Sequence, residues 1–298
     1  MIVAVMPQKH LRRKLMPSFT NKATLSYNGI TVDSNTVTGN YAEILTVTKT
    51  ALPSSYGPDS VITYVVSLVN SGSTALTGLV VSDNLGGYTF DTTTVYPLSY
   101  VDGSLLYLVN GAPQATPAVV EGPPLVISGI TVPAGGNATI IYEAKVNSFA
   151  PLALDEDITN TVTVTGGGLV DNVTADETVN VRNEPYLSIT KALCPLTVTD
   201  NGEIVYTFVI SNSGNTDAVA TDNVTVTDLF DPIISISSVT LDGVPLLPTT
   251  QYTYNETTGL FETVPGVITV PAATYTQNPD GSYTVTPGST TLTVTGII

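Results

Sequence analysis

The 298-residue chain carries one pattern twice. YLSITKALCPLTVTDNGEIVYTFVISNSGNT, from Tyr186, lies under ILTVTKTALPSSYGPDSVITYVVSLVNSGST, from Ile44, without a gap at an offset of 142 residues. Lys49 falls on Lys191, Tyr64 on Tyr206, and the turn Asn70-Ser71-Gly72 on Asn212-Ser213-Gly214. A duplication of this size requires a fold that can be built twice in tandem. Inside each copy apolar residues alternate with polar ones: Ile62, Tyr64, Val66 and Leu68 on one face, and Ile204, Tyr206, Phe208 and Ile210 on its repeat. Period two over short runs with turn residues between them predicts an all-β protein, two Ig-like antiparallel β-sandwich domains in tandem.

The copies differ at their ends. The first closes with ITNTVTVTGGG (158–168) and NVTADETVNV (172–181), followed by the linker Arg182-Asn183-Glu184-Pro185, whereas the second stops at TTLTVTGII with no such pair of strands. A matching segment stands at the other end of the chain, FTNKATLSYNG (19–29) followed by TVDSNTV (31–37). Thr20-Asn21 matches Thr159-Asn160, and Thr36-Val37 precedes Lys49 by the distance at which Thr178-Val179 precedes Lys191. The chain therefore reads as permuted. Its expected parts are a basic flexible arm (1–17), N-terminal donor strands (18–40), a complete Ig-like domain (41–182), and an Ig-like domain lacking its closing strands (183–298).

The motifs TKT or TKA at the start of a repeat, NSGST or NSGNT at the first turn, VSDN or VTDL in the middle and TNTVTVTG near the end resemble a known family. It is the bacterial surface-protein repeat known as a domain of unknown function, eleventh in its naming series, and the resemblance covers about residues 18–298. The resemblance implies Ig-like repeats of Gram-positive surface proteins, with similar short versions in clostridial spore appendages. It implies architecture more than activity.

Alternation also places polar residues on apolar faces. Lys49 shares a face with Leu45 and Val47, Asp83 with Leu79 and Val81, and Asn160 with Ile158, Val162 and Val164. In the second copy Lys191 follows Leu187 and Ile189, and Asp228 follows Val224 and Val226. The N-terminal segment supplies Phe19, Asn21, Ala23 and Leu25 in the manner of the closing strand. Isolated buried charges are costly, so Lys, Asp and Asn should meet in each domain. Two arrangements satisfy them. One is a buried ion pair with the amide completing the hydrogen bonds. The other is a spontaneous isopeptide bond, Lys49 to Asn160 within a subunit and Lys191 to Asn21 between subunits. In that case a desolvated neutral amine attacks the amide, Asp83 or Asp228 assists as a protonated carboxyl, and ammonia is lost.

Composition narrows the remaining classes. Nine Lys+Arg against 25 Asp+Glu give a net charge of −16, which opposes binding to nucleic acid or an anionic membrane surface. The single histidine, His10, sits in the basic N-terminal tail and the single cysteine, Cys194, directly precedes Pro195. A Ser/His/Asp or Cys/His site is not expected, nor is a cofactor or a metal. Cys194 reads as a small apolar residue or as an intermolecular disulfide partner, Asp155-Glu156-Asp157 as a solvated loop or a calcium loop, and Gly166-Gly167-Gly168 as a turn. No apolar run reaches the length of a membrane span, and the N-terminus as written lacks the order of a signal peptide.

The expectation is a non-enzymatic structural subunit that polymerises head to tail with itself by strand complementation, in a surface fibre or spore appendage attached to a surface or spore-coat anchor protein. The resemblance further implies assembly from the mother-cell cytoplasm. The rival expectation is an adhesin or ligand-binding module of a surface protein.

Overall fold

The computed structural model describes residues 18–298. The basic arm and His10 lie outside the described residues. Two separate apolar cores are present, one built from residues of 45–181 and the other from residues of 204–294.

The first domain is a sandwich of two sheets. One runs Ala112–Pro113, Leu106–Val109, Asn137–Val146, Val61–Asn70, Leu45–Leu52, with Leu98–Tyr100 also on Asn137–Val146. The other runs Ala118–Val120, Leu125–Val132, Leu76–Asp83, Asp157–Gly166, Val173–Val181, Ser55–Tyr56. All its pairings are antiparallel except that of Val173–Val181 with Ser55–Tyr56. The opening strand Leu45–Leu52 alternates buried and exposed throughout, as its sequence requires, because the closing strand Val173–Val181 packs against it.

The second domain keeps the first sheet and loses most of the second. Leu187–Cys194, Glu203–Asn212, Gly288–Ile297, Ser235–Leu241 and Val244–Pro245 form five strands, faced by only three, Thr227–Leu229, Leu260–Thr263 and Tyr252–Asn255. No described strand lies beside Thr227–Leu229 as Asp157–Gly166 lies beside Leu76–Asp83. The alternation of Val224, Val226 and Asp228 suggests a longer middle strand than the three residues found. Without a neighbour on that flank there is no ladder to hold the chain extended, so a 3₁₀ turn occupies Ala220–Asp222 and the Val226 N–H is taken by the Thr263 hydroxyl.

The repeated Asn-Ser-Gly turn has the same construction in both copies. The buried Asn70 amide donates to the carbonyls of Thr74 and Pro133 while its oxygen accepts from the Gly72 N–H. Asn212 donates to the Thr216 carbonyl and accepts from the Gly214 N–H.

The N-terminal segment is a long hairpin. Ser18–Asn21 pairs with Val37–Asn40, and Thr24–Tyr27 with Ile30–Asp33, across an Asn28-Gly29 turn with φ of 46° and 78°. Positive φ at both turn residues matches the strand twist and is the reason for Asn-Gly there. Between the two halves Ala23 and Ser34 are joined by backbone and hydroxyl hydrogen bonds, and the register shifts by one residue. With that shift Thr38 stands opposite Thr20, where the inner register would put Val37, just as Thr178 stands opposite Thr159 in the closing hairpin. The counterpart of Thr178 is therefore two residues later than sequence spacing indicates. Every strand residue of this hairpin except Gly39 is exposed, including Phe19, Leu25, Tyr27, Ile30, Val32 and Val37.

One feature was not legible in the sequence. The hairpin Thr274–Gln277/Tyr283–Thr286 of the second domain reaches onto the first, where Tyr275 and Val285 pack against the first core. The Tyr283 N–H donates to the Ser148 carbonyl at 2.7 Å, and the Asn215 amide donates to the Leu152 carbonyl at 3.2 Å.

Candidate functional site

The three residues that alternation turned inward in the first domain share one dry site. Lys49 Nζ donates to Asp83 Oδ2 at 2.5 Å, with the two side chains 0% and 1% exposed. Asp83 ends its strand, and the chain then turns through Leu85 and Gly86, both at positive φ (50° and 69°). This turn points two successive N–H groups into the site. The Leu85 N–H donates to Asp83 Oδ1 at 2.9 Å and the Gly86 N–H to Asn160 Oδ1 at 3.1 Å. A Cβ at position 86 would lie 2.5 Å from Ile158 Cγ2, so glycine is required for this approach.

Two tyrosines complete the site: Tyr64, which alternation placed among apolar residues, and Tyr142, which the sequence analysis did not single out. The Tyr142 hydroxyl donates to Asp83 Oδ2 at 2.5 Å and accepts from Asn160 Nδ2 at 3.5 Å, linking carboxyl and amide. Tyr64 stacks on Tyr142 with centroids 5.6 Å apart, and Lys49 Nζ lies 4.6 Å from the Tyr64 ring centre. The Tyr64 hydroxyl is buried and has no hydrogen-bond partner within bonding distance among the described residues. The signal available in sequence was the pairing of Tyr64 with Tyr206 across the repeat.

Burial pushes the Lys49 pKa down and the Asp83 carboxylate pushes it back up; burial is the larger effect. Burial also raises Tyr142, and the Asp83 carboxylate adds to it. Chemically, the site offers an amine driven toward its neutral form, a carboxyl oxygen that accepts from both that amine and the Tyr142 hydroxyl, and an amide whose carbonyl oxygen already faces an N–H that can stabilise an oxyanion.

The second copy is half of this site. Lys191 Nζ donates to Asp228 Oδ2, again at 2.5 Å, but the side chains are 41% and 17% exposed. The ammonium lies over Tyr206 (4.6 Å), Phe208 (5.4 Å) and Phe230 (5.6 Å). No described residue stands where Asn160 stands in the first domain. Leu187 and Ile189, on the face of Lys191, are exposed, whereas Leu45 and Val47 are buried. Val294 opposes Tyr206 where Tyr142 opposes Tyr64. Counting on from Asp228, Asp231 replaces Gly86. Asn21 stays in the exposed N-terminal hairpin and is not brought to Lys191 within the chain.

Cys194 is exposed and free, and the Asp155 carboxylate accepts from the Asn183 amide. Among the described residues no helix is long and apolar enough to cross a membrane.

No family model matches the chain, and no curated protein matches it. Solved structures similar to it include the major pilin subunit BcpA of Bacillus cereus, with 13% identity and a TM-score of 0.34 over 91% of this chain and 73% of that one. Another is the full-length major pilin SpaD of Corynebacterium diphtheriae, with 12% identity, a TM-score of 0.35, and 81% and 58% coverage. A third is the collagen-binding domain of a Staphylococcus aureus adhesin, with 15% identity, a TM-score of 0.28, and 46% and 97% coverage. None of them carries the functional reading, which rests on this chain's own residues.

Proposed function

We propose that the chain is a structural subunit that assembles head to tail with copies of itself into a surface or spore-appendage fibre. In this reading residues 18–40 of one subunit close the second domain of the next. The observation that carries it is a complementary surplus and deficit. The second domain lacks the closing hairpin that covers the first, and a hairpin with the matching cross-strand threonines projects unpartnered at the N-terminus. A lone two-stranded hairpin with six large apolar residues in water is marginal by itself. Burying each such side chain contributes about 1.5–3 kcal/mol, so docking on Leu187, Ile189 and the Thr227–Leu229 edge is strongly favoured. The occupant is a second copy because Asn21 stands in the hairpin where Asn160 stands in the first domain's closing strand.

The docked hairpin would bring Asn21 to Lys191 and Asp228. Two bonds then form with loss of ammonia, Lys49 to Asn160 within the subunit and Lys191 to Asn21 between subunits, and the second fixes strand exchange covalently. The protein acts on no other substrate.

Deleting residues 1–40 should give a dispersed monomer by light scattering, while the full chain forms fibres by electron microscopy. Leu25→Ser should weaken assembly without altering the monomer's first domain. Peptide mass spectrometry of fibres should find both cross-linked pairs. A full chain that stays monomeric overturns strand exchange, and fibres with unmodified Lys191 and Asn21 peptides overturn the covalent lock alone.

A further inference from the structure

We propose that the Tyr142 hydroxyl is the proton relay of the first domain's cross-linking reaction, carrying a proton from the Asp83 carboxyl to the amide nitrogen of Asn160 as ammonia leaves. The inference rests on the covalent reading above and assigns a role to a residue that reading does not use.

The argument starts from the leaving group. An amide nitrogen does not depart from carbon as an anion, so a proton must reach Asn160 Nδ2 before its bond to Cγ breaks. Lys49, Asp83, Tyr142 and Asn160 are all at most 4% exposed, so bulk water has no path to deliver it. Of the Asp83 oxygens, Oδ1 is engaged by the Leu85 N–H, and Oδ2 faces both Lys49 and Tyr142. The Tyr142 oxygen is the group that touches both this Oδ2 (2.5 Å) and Asn160 Nδ2 (3.5 Å). Its ring is held by Tyr64 on one side and Tyr100 on another, with centroids 5.6 Å and 6.4 Å away. A hydroxyl so fixed can donate on one side and accept on the other.

The step balances as follows. The Lys49 ammonium gives a proton to Asp83 and becomes a neutral amine, whose lone pair attacks Asn160 Cγ. The carbonyl electron pair moves onto Oδ1, against the Gly86 N–H. Tyr142 gives its proton to Nδ2 as Asp83 gives its own to the Tyr142 oxygen. Asp83, again a carboxylate, takes a proton from the new Lys49 nitrogen. The oxyanion collapses, the Cγ–Nδ2 bond breaks, and ammonia leaves, with an amide between Lys49 and Asn160 and a protonated Asp83 remaining. No external oxidant, reductant or co-reactant enters.

The second site has valine, Val294, at the equivalent position, so it cannot use this route. It therefore serves as an internal control for the test. Full-length protein is made by cell-free translation, quenched at intervals, and scored by mass spectrometry for ammonia loss at each site. Tyr142→Phe keeps the ring stack and removes the hydroxyl. The first-site rate should fall by about 10²–10⁴-fold, the range of general acid–base catalysis, while the second-site rate is unchanged. A purely structural role would not affect the solvent isotope effect. In mixed H₂O and D₂O the wild-type first-site rate should show a curved, two-proton inventory, which becomes linear in Tyr142→Phe.

Should Tyr142→Phe fail to fold, the wild-type inventory still decides. A linear one-proton dependence, or an unchanged rate in folded Tyr142→Phe, overturns the relay. Absence of any ammonia loss from wild-type Asn160 overturns the covalent reading itself, a separate outcome.

Discussion

The two domains each hold a lysine and an aspartate at 2.5 Å, one pair sealed in a finished core and the other on an open face. The first sheet and the Asn-Ser-Gly anchor are shared by the two copies, and they part in the second sheet, where the first domain has its closing strands and the second has none among the described residues. Where they are present, Leu45, Val47 and Lys49 are buried and Asn160 reaches the site; where they are absent, Leu187 and Ile189 face water. Under the strand exchange proposed above, the second pair would react only once a neighbour's hairpin covers it, which would tie the timing of the cross-link to docking.

The largest expected effect tests that contrast directly. In protein lacking residues 1–40, Lys49→Met removes what Lys49 gives the first site, either the ion pair with buried Asp83 or the bond to Asn160 proposed above, and should cost the first domain at least about 3–5 kcal/mol. At ~2–4 °C per kcal/mol, that lowers its melting by roughly 10 °C in differential scanning calorimetry. Lys191→Met in the same protein should change the second domain by less than ~1 kcal/mol, because an exposed pair is screened by water. Equal shifts at both sites would mean that the second face is already covered in the free chain.

The charged triad was legible in the sequence because strand alternation assigns faces and the duplication repeats the assignment. Lys49, Asp83 and Asn160 stood out as polar residues in apolar positions, and the structure brings all three to one site. Tyr142 did not stand out, since a tyrosine among Ala138, Ile140 and Ala144 satisfies alternation as an apolar residue and its hydroxyl has no periodicity. Gly86 was hidden in a turn, where glycine is ordinary and only the clash of a Cβ with Ile158 shows why it is needed. The hairpin on the first domain was invisible for another reason. Its alternating Tyr, Thr and Val residues read as a strand pair in either domain, and packing between domains leaves no local pattern.

That hairpin supplies the next, smaller test of how independent the two domains are. Tyr275 and Val285 join the second domain to the first core, while neither domain's own core depends on them. Replacing both by alanine should leave two folded domains but free the linker around 182–186. Limited proteolysis there should speed up by roughly tenfold, and small-angle scattering should show a broader range of particle lengths. If cleavage and scattering do not change, the polar bonds from Asn215, Gln277 and the Tyr283 N–H suffice to hold the domains together, and the apolar contacts of Tyr275 and Val285 are dispensable.

The smallest effect is a pH dependence that only an unreacted first site can show. Asn160→Ala leaves Lys49 as an unreacted buried amine beside Asp83, whereas in a wild type cross-linked as proposed above the same nitrogen would be an amide and would not titrate. Because burial lowers the folded-state pKa of Lys49, the unfolded chain binds more protons between that lowered value and the ordinary lysine range. Stability therefore rises with pH through that window, and below it the cost of the buried charge is felt in full. The melting deficit of Asn160→Ala against wild type should accordingly shrink as pH is raised toward the lysine range, by at most about 1.4 kcal/mol per pH unit, the slope of one proton. A deficit that stays constant with pH would mean that wild-type Lys49 also titrates as an amine, so that the pair in the first domain is ionic and not bonded to Asn160.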